Sequence, residues 1–135
     1  MNVRLSLVIA IIVTLASATA AKAFSVQPIR WQTTTAPGKE QFITVTVTND
    51  ESTANTFTIA VGGVKQDTRG LPVFGSGFDE AEKWLVPQTT NLSLAPNQSK
   101  KIIAFIRPPV NADPGTHYAA LLIRKNSAQS GVVGI

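Results

Sequence analysis

APGKEQFITVTVT, residues 36–48, decides the fold, because a Pro-Gly turn leads directly into a run that alternates apolar residues with threonine. A second unit repeats this arrangement, with the turn APN at 95–97 ahead of an apolar run at 100–107. Such turns bring a chain into a strand at a defined register, and β-branched and aromatic residues favour the strand that follows. The two units together predict an all-β chain folded as an antiparallel sandwich.

Period-two alternation and turn residues divide the chain into about seven strands. Pro28 interrupts the first, which is therefore predicted to lie at a sheet edge. Gly62 and Gly63 lie inside the third and predict a bulge or a close backbone approach. Apolar residues on both faces of 100–107 predict a central strand. The predicted strands are 24–31, 41–49, 56–66, 91–94, 100–107, 117–124 and the start of a last strand at 131–135.

The N-terminus has the pattern of a secretory signal peptide, with Arg4, an apolar stretch at 5–15 and the motif AKA at 21–23. Cleavage after Ala23 would leave one domain of 112 residues, 24–135. A retained membrane anchor is the alternative, because about 17 residues approach the length of a spanning helix. Since an apolar run ends the sequence, the domain is predicted to lack part of its last strand or downstream domains.

Charge and composition argue against several functional classes. Two of the 12 basic residues belong to the predicted leader, so ten basic and eight acidic residues give the mature chain a net charge of +2. No dense basic cluster with interleaved aromatic residues remains for nucleic acid. The chain has no cysteine, which excludes thiol catalysis and thiolate metal sites. Without a nucleophile and base set, the sequence predicts a protein that is not an enzyme and has no cofactor.

Residues 67–87 have an irregular pattern, and loops on a rigid sandwich are common places for binding. One or two helical turns are predicted within 78–85. Three acidic residues lie there, Asp79, Glu80 and Glu82. Their spacing fits no EF-hand loop, so we predict a solvated helical turn and no metal site.

The histidine and the two tryptophans are the remaining candidates for chemistry or binding. His117, the single histidine, is interpreted as a surface residue of a strand. Trp31 and Trp84 are predicted to belong to the core, and the alternative is an exposed hot spot for a protein or a carbohydrate.

Asp113, Gly115 and Tyr118 have the spacing DxGxxY at the start of a predicted strand. This spacing resembles the tyrosine corner of immunoglobulin-like sandwiches, in which the tyrosine hydroxyl bonds to nearby backbone and holds a loop. The alternative is an ordinary turn followed by a core tyrosine. Ala120, two residues further on, is small enough for a core without cysteine.

Three stretches resemble the amino-terminal domain of periplasmic pilus chaperones and related immunoglobulin-like domains of bacterial surface proteins. They are the opening strand 24–31 with its Pro-x-Arg, ITVTVTN at 43–49 and LSLAPNQSKK at 92–101. The resemblance implies an immunoglobulin-like antiparallel sandwich. The entry PGTHY at 114–118 looks more like the domains of anchored surface proteins.

In the chaperone family, a first-strand arginine and a last-strand lysine grip the carboxylate terminus of the client, and the last strand pairs with the client. Arg30 lies near the first of these positions. The predicted last strand contributes Val132, Val133 and Ile135 as partner-binding residues.

The sequence thus predicts an exported, chaperone-like interaction module that binds a protein partner, such as a pilin-like or surface subunit, through an open sheet edge. The alternative is a structural, cell-wall or glycan-binding domain of a membrane-anchored surface protein. The predicted location is the periplasm or the cell surface. Contact with a membrane is expected only through the leader or a C-terminal anchor beyond the sequence, and contact with nucleic acid is not expected.

Overall fold

A computed structural model describes residues 23–126, so the predicted leader and the residues Val132, Val133 and Ile135 lie outside the described range. Residues 23–126 form eight strands and one 3₁₀ helix, Glu80–Lys83. The strands are β1 Phe24–Gln27, β2 Gln41–Asn49, β3 Asn55–Gln66, β4 Pro72–Gly75, β5 Leu85–Pro87, β6 Asn91–Leu94, β7 Ser99–Ile106 and β8 Ala119–Asn126.

Two antiparallel sheets form a sandwich, as the sequence predicts. The first sheet has the order β1-β2-β7-β5. The second is centred on β3, which pairs with β8 along one side and with β6 and β4 along the other. The first sheet has the A-B-E-D order of immunoglobulin-like sandwiches, and β3 and β8 take the places of strands C and F.

The core lies between the sheets and follows from the alternation along each strand. On β2, Val45 and Val47 are buried, whereas the intervening threonines are more exposed. The ring of Phe24 on β1 meets the ring of Phe57 on β3 edge-on, with 5.1 Å between centroids. The central cluster comprises Val47, Phe57, Ile59, Leu92, Leu94 and Ile102.

Three local predictions need correction. The first strand ends at Gln27 and not at residue 31, because the chain leaves the sheet at Pro28. Trp31 is consequently 42% exposed and is not a core residue, whereas Trp84 is buried as predicted. The region 67–87 contains β4 and β5, which bring the number of strands to eight. Both are only three or four residues long and depend on pairing with β3 and β7.

The close backbone approach predicted at Gly62 and Gly63 is confirmed. A β-carbon added to Gly63 would overlap the Glu82 carboxylate and lie 2.9 Å from the β-carbon of Phe78. One added to Gly62 would lie 3.0 Å from the Leu122 side chain on β8. Gly63 lets the Phe78–Glu82 segment pack directly on β3, and Gly62 lets the Leu122 side chain lie against it.

Candidate binding edge and the loop that leads into it

The far side of β8 is a free sheet edge within the described residues. β8 pairs with β3 from Ala119 opposite Gly63 to Asn126 opposite Thr56, and no other described strand pairs with it. In immunoglobulin-like order, the strand that follows F lies on this side. The far side of β8 is therefore the position where a further strand would add to the second sheet.

The side chains of β8 are apolar on both faces at this edge. Residues 119–123 are all alanine, leucine or isoleucine, and all are half-buried. Leu121 and Ile123 pack against the core cluster. Edge strands normally carry charges, prolines or bulges that discourage pairing with another chain. The first five residues of β8 have no such feature, so their side chains do not discourage pairing with a further strand.

The C-terminal end of β8 is held by polar contacts. The Lys125 ammonium lies 2.7 Å from both carboxylate oxygens of Glu51, in the turn between β2 and β3. The Thr58 hydroxyl on β3 donates to the Asn126 side chain at 2.8 Å. These contacts fix the end of the strand furthest from the loop 107–118.

The N-terminal end of β8 is held by His117. Its Nδ1 lies 2.9 Å from Oδ1 of Asp79, and its Nε2 lies 2.9 Å from the backbone oxygen of Asp113. The ring also contacts the buried Trp84, with 4.5 Å between centroids. A carboxylate and a carbonyl can only accept, so both ring nitrogens donate only when the imidazole is protonated. The surroundings of His117 therefore favour the cation.

The pKa values of His117 and Asp79 reflect these hydrogen bonds. The hydrogen bond to Asp79 and then the bond to the Asp113 backbone raise the pKa of His117 above its usual value. Burial acts to raise the pKa of Asp79. The backbone N–H groups of Ala81 and Tyr118, together with the His117 ring, outweigh that effect and hold the pKa of Asp79 below its usual range. The two groups thus favour an ion pair over a wide pH range.

Asp79 is positioned by the 3₁₀ helix that it caps. Its Oδ1 accepts from the Ala81 backbone at 2.9 Å, and its Oδ2 accepts from the Tyr118 backbone at 2.9 Å. Glu82 completes a capping box and accepts from the backbone N–H groups of Gly77, Phe78 and Asp79. The predicted helical turn is confirmed, but its carboxylates are not simply solvated. Only Glu80 is an exposed acid in this turn.

The bond of the predicted tyrosine corner is not formed within residues 23–126. Tyr118 is 57% exposed, and within residues 23–126 its hydroxyl makes no hydrogen bond, whereas its backbone N–H binds Asp79. Gly115 has a φ of 129°, a conformation that suits glycine. The Asp113 carbonyl accepts from His117. The loop is thus held at the predicted place by His117, which is half-buried and precedes β8.

Sequence reasoning missed the pairing of Asp79 with His117 because 38 residues separate the two. Each residue looked ordinary in its own segment. A histidine followed by an apolar strand carries no local sign that a helix cap will lie beside it. Only the packing of the 3₁₀ helix against β3 and β8 brings the two together.

Arg30 lies in a different part of the molecule. It is exposed and lines an open groove on the first sheet, with Val26, Gln27, Pro28, Ile29, Thr44 and Thr46. β8 belongs to the second sheet. The described residues therefore do not place Arg30 and the free edge of β8 in one site, and its role as a partner-binding residue stays a prediction.

An apolar stripe lies on the outer face of the first sheet and was not predicted from the sequence. Phe42, Phe105 and Val86 are directly opposed across β2, β7 and β5. Phe42 is 63% exposed. The Arg107 guanidinium lies 4.7 Å from the centre of the Phe105 ring and forms an ion pair with Glu40. The stripe is a second exposed surface, on the opposite sheet from β8.

Residues 23–126 contain neither a candidate membrane-spanning helix nor a candidate metal site. No helix in that part of the chain combines the length and hydropathy needed to cross a membrane. No group of three or more histidine or acidic side chains in the same residues is arranged to hold a metal ion.

No protein-family model and no curated protein sequence matches the chain. Three similar solved structures have low sequence identity. PapD-like domain 7 of human CEP192 is 12% identical over 64% of this chain and 61% of that one, with a TM-score of 0.45. The class 5 fimbriae chaperone CfaA is 16% identical over 74% and 55%, with a TM-score of 0.40. A chain from a chaperone and tip adhesin complex of CFA/I fimbriae biogenesis is 13% identical over 76% and 56%, with a TM-score of 0.39.

The matches thus span about 55 to 61% of the length of these structures. Of the three, one is named as a PapD-like domain and one as a fimbriae chaperone.

Proposed function

We propose that the protein is an exported, non-enzymatic binding module that receives an extended segment of a protein partner as an added strand along β8. The observation that carries this proposal is the eight-residue edge of β8, which is unpaired within residues 23–126 and whose residues 119–123 are apolar on both faces. Backbone hydrogen bonds along such an edge supply affinity, and alternate side chains supply specificity.

The side chains of β8 suggest what the partner strand carries. Leu121 and Ile123 point to the core side, so the matching positions of an added strand should be apolar. Further along, Lys125 is already paired with Glu51, and Arg124 is exposed. The favoured partner is therefore a strand that alternates apolar and polar residues, as expected of a surface or pilin-like subunit. The export that this function needs is predicted by the leader at 1–23.

A selection with strand-like peptides tests the proposal. Extended peptides that alternate valine or isoleucine with threonine or glutamine, without ionisable side chains, would be selected for binding to the full chain. Amide hydrogen exchange would then locate the bound peptide. We expect protection along 119–126. Failure to select any binder, or protection confined to β1 or β5, would contradict the proposal.

Two matched variants, one on β8 and one on an edge of the other sheet, test whether the peptide binds at β8. Leu122→Lys puts a charge on the half-buried outer face of β8, and Val86→Lys does the same on β5, an edge of the first sheet. Charges on edge strands discourage pairing. We expect Leu122→Lys to weaken peptide binding and Val86→Lys to leave it unchanged, with unfolding transitions recorded to show that both variants are folded. Equal binding by both variants would contradict strand addition at β8.

Binding of a glycan is the second candidate function, and the exposed aromatic residues favour it. Trp31 is 42% exposed, and Phe42, on the sheet that does not contain β8, is 63% exposed. Aromatic rings at a surface can stack on sugars or anchor a protein. Co-sedimentation with insoluble cell-wall glycan tests this candidate. Loss of sedimentation in Trp31→Ala, with retention in Leu122→Lys, would favour the glycan over the strand partner.

A further inference from the structure

Within the described residues, the hydrogen bonds that attach the loop entering β8 to the rest of the fold converge on one residue, Asp79. Within the described part of the chain, the hydrogen bonds that leave residues 113–118 all end on Asp79, one from the His117 ring and one from the Tyr118 backbone. The bond from His117 Nε2 to Asp113 closes the loop on itself. The contact of His117 with Trp84 completes the attachment.

The stretch of β8 that follows this attachment is the most weakly paired part of the strand. Ala119 and Ala120 lie opposite Gly63 and Gly62 on β3, so neither pair has side chains on both strands. Cross-strand side-chain contacts are a main source of sheet stability, and these two pairs lack them. The opposite end of β8 has the Lys125–Glu51 ion pair and the Thr58–Asn126 bond. The register at the start of β8 therefore depends strongly on the His117 contacts.

We propose that protonated His117 acts as a latch, which holds the first residues of β8 against β3 and is released when the imidazole loses its proton. The neutral ring has a single N–H and cannot donate to both the Asp79 carboxylate and the Asp113 carbonyl. Release therefore removes one of the two bonds and the charge attraction to Asp79. The first residues of β8 then fray, and the acceptor edge becomes shorter.

The two carboxylates nearest the latch favour the protonated state of His117. Asp79 and Glu80 face His117 from the 3₁₀ helix, and both carboxylates favour the cation. The loop contributes the Asp113 backbone oxygen, and β5 is preceded by the uncharged ring of Trp84. On β3 the nearest cation, Lys65, lies over the Phe78 ring, 4.2 Å from its centre. The pair of His117 and Asp79 is thus the switching element, and the chain has no second histidine to compete with it.

Amide hydrogen exchange on the full chain tests the latch without a ligand. Exchange would be measured at about pH 5.5 and about pH 8.5 and corrected for intrinsic rates. We expect protection of residues 119–121 to fall several-fold at the higher pH, while residues 124–126 change little. His117→Gln should show low protection of 119–121 at both pH values. The control Thr116→Ala, an exposed loop neighbour, should behave as the wild type.

Two outcomes would overturn the latch. One is equal protection of 119–121 at both pH values in the wild type, and the other is an unchanged pH response in His117→Gln. A loss spread uniformly along β8 would also contradict it, because the effect would then be global. NMR titration of the His117 ring protons would show that the imidazole titrates within the range tested.

If β8 binds a partner strand as proposed above, the latch should make that binding depend on pH. An uncharged peptide selected on β8 should bind the wild type more tightly at about pH 5.5 than at about pH 8.5, and His117→Gln should lose this difference. If no peptide binds β8, the proposed function fails while the exchange pattern still decides the latch. If the peptide binds β8 equally at both pH values, the latch does not control the edge.

Discussion

The two ends of the sandwich are held together by different kinds of polar contact between loops. At one end, which we call the amide pole, the buried Asn49 ties together the turns after β2 and β6. At the other end, the histidine pole, Asp79 and His117 tie the 3₁₀ helix to the loop before β8. Asn49 is fully buried, whereas the His117 and Asp79 side chains are 22% and 16% exposed.

The Asn49 side chain at the amide pole is neutral, and both of its polar atoms are paired. The Asn49 amide donates to the carbonyls of Thr53 at 2.7 Å and Ala95 at 3.1 Å, and its oxygen accepts from the Glu51 backbone and the Asn55 side chain. An amide does not titrate, so the contacts of Asn49 are the same at all ordinary pH values. The histidine pole is tied by a charge that the solvent can remove. The Asn49 contacts therefore do not depend on pH, whereas the His117–Asp79 contacts depend on the protonation of His117. The edge of β8 that is unpaired within the described residues begins at the histidine pole.

The largest loss of stability is expected at the amide pole. Asn49→Leu keeps the branched shape of the side chain but leaves buried carbonyls and an N–H without partners, and each such group costs about 1–3 kcal/mol. We expect the free energy of unfolding to fall by about 3 kcal/mol in chemical denaturation, equally at mildly acidic and alkaline pH. Asn91→Ala, at an exposed position on β6, is the control and should change the free energy of unfolding by less than about 0.5 kcal/mol. A loss at Asn49 no larger than that at Asn91 would remove the distinction between the poles.

Gly63 is expected to have the next largest effect, at the histidine pole. Gly63→Ala places a methyl group against the Glu82 carboxylate and Phe78, and overpacking of this kind costs about 1–3 kcal/mol. The loss of stability caused by Gly63→Ala should be smaller in a Glu82→Ala background, because the carboxylate that the added methyl group would overlap is absent. A double-mutant cycle in denaturant measures this coupling. Additive losses would show that the carboxylate does not limit the space at Gly63.

The sequence revealed the strands better than the contacts between loops. Alternation along β2 and the turn at 95–97 are local signals, so β2, β6 and β7 could be located closely. β4 and β5 could not be predicted, because three or four residues form a strand only when β3 and β7 supply partners. Trp31 was misplaced for a related reason: its apolar side chain suggested the core, but the break at Pro28 carried it to the surface. The pairing of Asp79 with His117 could be identified only from the tertiary structure.

The pH dependence of stability distinguishes the poles directly. The raised pKa of His117 means that its contribution is fully present below its unfolded pKa, about 6.5, and is lost as pH rises through the folded value. The lowered pKa of Asp79 means that its contribution is present above its unfolded pKa, about 3.9, and is lost as pH falls through the folded value. The pair therefore stabilises most strongly between these limits.

We expect the wild type to be more stable at about pH 5.5 than at about pH 8.5, and His117→Gln to lose most of this difference. The variant should lose about 1 kcal/mol at the lower pH, the usual scale for a hydrogen bond to a charged partner after allowance for partial exposure. Denaturant midpoints of both proteins at the two pH values provide the measurement. An equal pH response in both proteins would place the titrating group elsewhere.

Tyr118→Phe is expected to have the smallest effect, and it tests whether the loop is held by the histidine or by the tyrosine. The Tyr118 hydroxyl has no hydrogen-bond partner within residues 23–126, and 57% of the residue is exposed. The backbone N–H that binds Asp79 is retained in the variant. Removal of the hydroxyl should therefore change the free energy of unfolding by less than about 0.5 kcal/mol, the usual range for surface substitutions. A loss of about 1 kcal/mol or more would restore the tyrosine corner, since that is the contribution expected of a buried hydroxyl bond.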